Sequence, residues 1–183
     1  ITGLSWYLFV QKGEGAIMNL GATLLGVLYI GGLGSFGTLT LGVARPFEGS
    51  TSNQGIGIVI AAVIVTVSYD VGAYFIGRQW GRSPLSATSP NKTWEGLAGG
   101  VAVGVFLSFL ILWLGKVDPV GAEVSKTFAF CLMCALMAPL GDLAESALKR
   151  DLQIKDMGTL LPGHGGVLDR FDGLLFVLPT AYF

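Results

Sequence analysis

Long apolar stretches of the chain carry no charged residue, among them 15–44, 49–69, 96–115, 127–141 and 173–183. A bilayer's hydrocarbon core takes roughly 20 apolar residues of α-helix at about 1.5 Å rise each. The first three of these reach that length unaided; 127–141 and 173–183 reach it with polar flanks or with residues past the end of the sequence. The ten-residue alternating segments of an outer-membrane barrel are missing. The pattern predicts an all-α integral membrane protein, a polytopic helical bundle in one membrane-embedded domain. Its expected spans are about 1–10 (partial), 16–44, 56–77, 96–115, 127–148 and 173–183 (truncated). The second is either one long tilted helix or a helix broken around Gly31, Gly32 and Gly34. Ile1 opens inside an apolar stretch and the last span is short, so the sequence reads as the C-terminal part of a longer chain.

Composition narrows this further. Of 183 residues, 52% are hydrophobic and only 13% charged, against about 25% charged in soluble domains. The mean hydropathy is +0.67. A net charge of −1 offers no general attraction to polyanions, and nucleic acid is not an expected partner. The 28 glycines follow no collagen period. Three of them, Gly96, Gly100 and Gly104, recur every fourth residue, which predicts a groove for a neighbouring helix. Cys131 and Cys134 form a lone CxxC in an apolar run without a second pair, and read as buried small side chains rather than a zinc site.

Positive charge orients membrane helices. Segment 78–95 holds Arg78, Arg82 and Lys92, and segment 142–172 holds Lys149, Arg150, Lys155 and Arg170. Two spans separate them, so both are expected on one side, the cytoplasmic one. Loop 116–126 balances its charges, as an outer loop does.

The polar residues near or inside these spans carry the chemistry. Asp70 lies within the second span, where a carboxylate costs about 2.5–3.5 kcal/mol or more. It either faces a polar cavity or pairs with Arg78 two turns on. Asp142, Glu145, Ser146 and Lys149 follow the fourth apolar run at offsets that share one helical face. Ten of the chain's 23 charged residues fall in 142–172, with both signs mixed. Clustered aspartates repel unless a divalent cation neutralises them, and oxygen ligands suit Mg²⁺. Interleaved Lys and Arg suit phosphates beside that metal. The glycines of Pro162-Gly163-His164-Gly165-Gly166 let backbone N–H groups approach a phosphate. His164 is the single histidine; it reads either as a loop side chain bonded to a carboxylate or as a phosphate contact or proton donor. Segment 89–96, SPNKTWEG, opens the third span with ordinary helix-start chemistry, and Lys92 with the free N–H groups there would also attract an anion.

These residues together resemble the phosphatidate cytidylyltransferase (CDP-diacylglycerol synthase) family. The stretch 146–172 matches its signature: Ser146, Lys149-Arg150, Lys155-Asp156, the PGHGG run 162–166, then Asp169-Arg170-Phe171-Asp172. Asp70-Val71-Gly72-Ala73-Tyr74 and the 89–96 segment are also similar to the family; residues 1–55 agree only in hydrophobic character. The resemblance implies Mg²⁺-dependent transfer of cytidylyl from CTP to phosphatidic acid, giving CDP-diacylglycerol and pyrophosphate. It implies Asp142 and Asp169 as metal ligands, with Asp172 and Asp70 in support, and a second cation such as K⁺ could share them. Lys149, Arg150 and His164 join the two aspartates as catalytic candidates. Ser89, Lys92, Ser146, Lys155, Arg170, Gly165 and Gly166 are the substrate-binding candidates. Membrane lipid is the expected surroundings, a bacterial inner membrane the expected location, and a homodimer is left open. The competing readings are a CTP-dependent polyprenol or phytol kinase, a transporter using Asp70 as a relay, and a purely structural membrane protein. A CDP-alcohol phosphotransferase is disfavoured because no DGxxAR motif occurs.

Overall fold

A computed structural model describes residues 15–42, 54–86, 89–117, 119–121, 123–158 and 166–183. The expected partial span at 1–10 lies outside these. The first helical rod begins with α1 (Ala16–Gly26), passes through a π-helical segment (Val27–Gly32) and continues as α2 (Leu33–Leu41). The glycines at 31, 32 and 34 therefore do not break it; they lie in and just after a locally widened turn. Three longer helices follow: α3 (Gln54–Trp80), α4 (Trp94–Gly115) and α5 (Val124–Asp151). The last, α6 (Leu168–Tyr182), takes up the end of the described chain. Ile17–Leu41, α3, α4 and α5 are each long and apolar enough to cross a membrane. Large apolar side chains face outward along them, Ile17 at 88% and Phe106 at 70% exposure, which water would oppose and lipid would not. This is an all-α polytopic membrane protein.

The polar segment between α3 and α4 holds more order than its composition predicts. A two-stranded antiparallel ribbon, β1 (Pro84–Ser86) with β2 (Ser89–Thr93), lies there. It delivers the chain to α4 under local control. The Thr93 side chain accepts from Gly96 N at 3.1 Å, and Glu95 Oε2 accepts from the Arg82 and Ser83 N–H groups, both at 3.2 Å. Trp94 N donates to Ser83 O at 3.0 Å. The helix start thus uses its own donors, and the anion attraction expected of that end falls to Lys92.

Close approach of backbones holds the bundle together, as lipid-embedded helices require. A Cβ on Gly100 would sit 2.7 Å from Ala73 Cβ, one on Gly104 3.0 Å from Tyr69 Cα, and one on Gly96 3.0 Å from Gly77 Cα. The four-residue glycine row is the seam between α4 and α3. The core beside it mixes small side chains, Ala61, Ala62, Cys131, Cys134, Ala135 and Ala138, with a few large ones such as Leu112 and Tyr69. Both cysteines are free and buried, as apolar packing predicts. Buried hydroxyls turn back on their own helices: Thr66 donates to Ala62 O at 2.9 Å and Ser108 to Val105 O at 3.2 Å, which removes the cost of an unmade bond in lipid.

The seam generates a prediction. Gly100→Val should lower the thermal unfolding midpoint in detergent, through an overpacking cost of about 1–3 kcal/mol. Gly21→Ala, where an added Cβ meets nothing within 4 Å, should leave it unchanged. Circular dichroism melts of the two variants check the contrast.

Candidate active site

Helices α5 and α6 cross at a point that admits no side chain. A Cβ on Gly141 would lie 2.2 Å from Asp172 O, and one on Gly173 3.3 Å from Ala138 O. Each of these glycines adjoins an aspartate, so the crossing that needs them brings Asp142 and Asp172 together. Glu145, one turn beyond Asp142 on the same face, completes the arrangement. One carboxylate oxygen from each of Asp142, Glu145 and Asp172 lies within 4.8 Å of the others.

This group is under electrostatic load. Glu145 is 1% exposed, and its Oε1 is buried without a hydrogen-bond partner. Its other oxygen accepts from Lys149 Nζ at 2.9 Å. Asp172, just ahead of the last apolar run, has its carboxyl pushed up, first by burial and then by the charge of Asp142; Gly173 N donates to its Oδ1 at 2.8 Å. Three carboxylates with one buried oxygen unmet could hold a hard divalent cation.

Asp169, the other aspartate that the resemblance implies as a metal ligand, is held by hydrogen bonds from the protein. It falls outside the three-carboxylate group and is satisfied by the protein. Lys149 Nζ donates to its Oδ1 at 2.9 Å, and the N–H groups of Met157 and Gly166 donate to Oδ2 at 2.9 and 2.7 Å. Burial raises its carboxyl, but Lys149, the Gly166 N–H, Glu145 and the Met157 N–H outweigh that and hold it at about 2. Gly166 is required here: a Cβ would meet Gly158 N at 2.8 Å and Asp169 Oδ2 at 3.0 Å. Asp169 therefore anchors both the end of the 152–166 connection and the ammonium of Lys149, which it shares with Glu145.

A second cation closes the other flank. Lys92, carried by β2, forms an ion pair with Asp142 and lies 3.3 Å from Ser146 Oγ. That contact joins segments 78–95 and 142–172 on one side of the bundle, as their charge pattern requires. Beside it opens a cavity of about 420 Å³, lined by Tyr69, Asp70, Tyr74, Arg78, Lys92 and Asp142 with neighbouring apolar residues. Asp70 thus lines a mixed cavity, largely apolar in its walls, within electrostatic reach of Asp142, Lys92 and Arg170. Arg78 donates to Tyr74 Oη at 2.8 Å and sits over its ring.

The remaining candidates divide. Arg150, Lys155 and Arg170 are exposed at the same end of the bundle, and Gly166 is buried. Ser89 lies on β2, next to the strand residues that carry Lys92. His164 and Gly165 lie outside the described residues. Glu145 was on the face singled out in the sequence but was not read as a ligand. The signal for it was its three-residue spacing from Asp142.

Comparison with known proteins places the chain in a family. The whole chain, residues 1–183, matches the profile described as the cytidylyltransferase family. The chain belongs to that family. It is 42% identical over 130 residues to the phosphatidate cytidylyltransferase of Bacillus subtilis (strain 168), covering 70% of this chain and 47% of that protein. It is 48% identical over 131 residues to the Mycobacterium leprae phosphatidate cytidylyltransferase, covering 70% and 39%. Phosphatidate cytidylyltransferase 4, chloroplastic, of Arabidopsis thaliana is 33% identical over 194 residues, covering 96% and 48%. The chain spans about half the length, or less, of these relatives.

The Asp169 cradle predicts a pH dependence. A carboxyl held below its ordinary value contributes stability above that value and loses it as pH falls toward the folded one. Asp169→Asn should cost about 1–3 kcal/mol, equally at about pH 7 and pH 5, and progressively less below about pH 4. Paired unfolding midpoints of the two proteins across that range measure it.

Proposed function

We propose that the full-length protein containing this chain transfers cytidylyl from CTP to phosphatidic acid, yielding CDP-diacylglycerol and pyrophosphate. The observation that carries the reading is the group Asp142, Glu145 and Asp172, with one buried carboxylate oxygen unpartnered, set between Lys92 and Lys149 where membrane helices meet polar connections. The family and its phosphatidate cytidylyltransferase relatives support the choice of substrates.

In this reading a phosphate oxygen of the lipid attacks the α-phosphorus of CTP. The new P–O bond forms as the bond to the bridging α–β oxygen breaks, and pyrophosphate leaves with that electron pair. The lipid phosphate is already an anion, so no Ser or Cys nucleophile is needed. What the protein supplies is placement and charge. Asp142, Glu145 and Asp172 would hold Mg²⁺, which when bound offers Lewis-acid neutralisation of phosphate charge. Lys92, in the wall of the cavity and paired with Asp142, would offer its ammonium to a phosphate there. Lys149 is oriented by Asp169 and Glu145 beside the same group. Arg150, Lys155, Arg170 and Ser146 remain phosphate candidates, with His164 in the adjoining connection. A second cation such as K⁺ and a homodimer belong to the same proposal. The site faces the cytoplasm in a bacterial inner membrane, so that CTP arrives from solution and the lipid from the bilayer.

Incubating the complete protein with phosphatidic acid, cytidine-labelled CTP and Mg²⁺ tests the reading. Label should enter the lipid fraction. A lipid kinase would leave cytidine in solution, and that result would overturn the proposal. Glu145→Gln should weaken Mn²⁺ binding by roughly 10–100-fold and lower turnover to match, while Asp169→Asn should lower turnover with Mn²⁺ affinity largely kept. Titration of free Mn²⁺ by electron paramagnetic resonance separates the two.

A further inference from the structure

The first helical rod contains one side chain that the reaction scheme above leaves unused. Tyr29 lies in the π-helical segment Val27–Gly32. A π turn inserts an extra residue and re-aims the side chains around it, an arrangement that recurs at functional sites. Here it turns Tyr29 inward while Val27, Leu28 and Ile30 remain exposed. The ring packs against Phe176 of α6, centroids 6.2 Å apart. Phe176 is one helical turn beyond Asp172, so the phenol is laid along the face of α6 that carries that aspartate.

The far end of this ring is the point of interest. The Tyr29 hydroxyl is buried and has no hydrogen-bond partner. Asp172, Glu145 and Asp142, all three members of the acidic group, lie within its electrostatic reach. Glu145 Oε1, an acceptor, is buried and unpartnered as well. A buried donor and a buried acceptor, each without a hydrogen-bond partner, leave hydrogen-bonding capacity for a third species that is itself oxygen-rich. A phenol is a neutral donor. It does not compete with a cation for the carboxylates, as a lysine would, and it can hold an oxygen that the cation carries.

We propose that Tyr29 is a further residue of the active site, its hydroxyl donating a hydrogen bond to a water or phosphate oxygen held over the Asp142, Glu145 and Asp172 group. This rests on the cation-dependent cytidylyl transfer proposed above. It gives the N-terminal rod a direct part in the chemistry and accounts for the π turn at that height.

Tyr29→Phe in the full-length protein keeps the ring and removes the donor. Two measurements are paired: Mn²⁺ affinity without substrates, and steady-state rates against phosphatidic acid. A donor to cation-held water predicts about tenfold weaker Mn²⁺ binding. A donor to phosphate predicts unchanged Mn²⁺ affinity with about a tenfold loss in kcat/KM for phosphatidic acid. Either supports the assignment, provided the unfolding midpoint is that of the parent. A variant equal to the parent in both measurements overturns it. A parent protein that neither binds Mn²⁺ nor transfers cytidylyl overturns the underlying reading of the site as well, which the variant comparison alone would not do.

Discussion

Three carboxylates forced together at the edge of a bilayer are the constraint around which this protein is organised. Left alone they would repel in surroundings that screen charge poorly. The chain nevertheless gives up two side chains, at Gly141 and Gly173, so that the helices can cross closely enough to bring them together. The neighbouring charges follow from that. Lys149 is split between Glu145 and Asp169, Lys92 is drawn onto Asp142, and Asp169 is pinned by two backbone N–H groups so that it can steady Lys149.

Packing and chemistry share the same residues. In a membrane the contact between helices depends on small side chains, since lipid tails are as apolar as leucine. Glycine rows therefore do here what large apolar side chains do in soluble cores. At the α3–α4 seam the row is structural. At the α5–α6 crossing a single glycine from each helix also fixes where charge accumulates, and a substitution there would reach the carboxylates through the backbone.

Much of this was legible in the sequence. Uncharged runs announced the membrane helices, because a lone charge in hydrocarbon is expensive, and the Gly96, Gly100 and Gly104 spacing announced the seam. The density of mixed charge in 142–172 marked the site. Three things escaped. The ribbon at 84–93 is short and polar, with Pro84 and Pro90 in it, so no alternation signalled strands. That Glu145 joins Asp142 and Asp172 while Asp169 accepts from the Met157 and Gly166 N–H groups depends on where backbone donors fall in the folded chain. Tyr29 sits over a hundred residues from the aspartates, in an apolar run where nothing distinguishes an inward tyrosine from a lipid-facing one.

The length of α5 bears on how the proposed lipid substrate would be met. Its 28 residues extend about 42 Å, against a hydrocarbon core of about 30 Å. Asp142 comes 18 residues after Val124, or about 27 Å along the axis. If the helix enters at its apolar end, the acidic group rests at headgroup depth on the far leaflet. A phospholipid already has its phosphate at that height. Encounter then becomes a search in two dimensions, by lateral diffusion within one leaflet, and the acyl chains need never leave the oil.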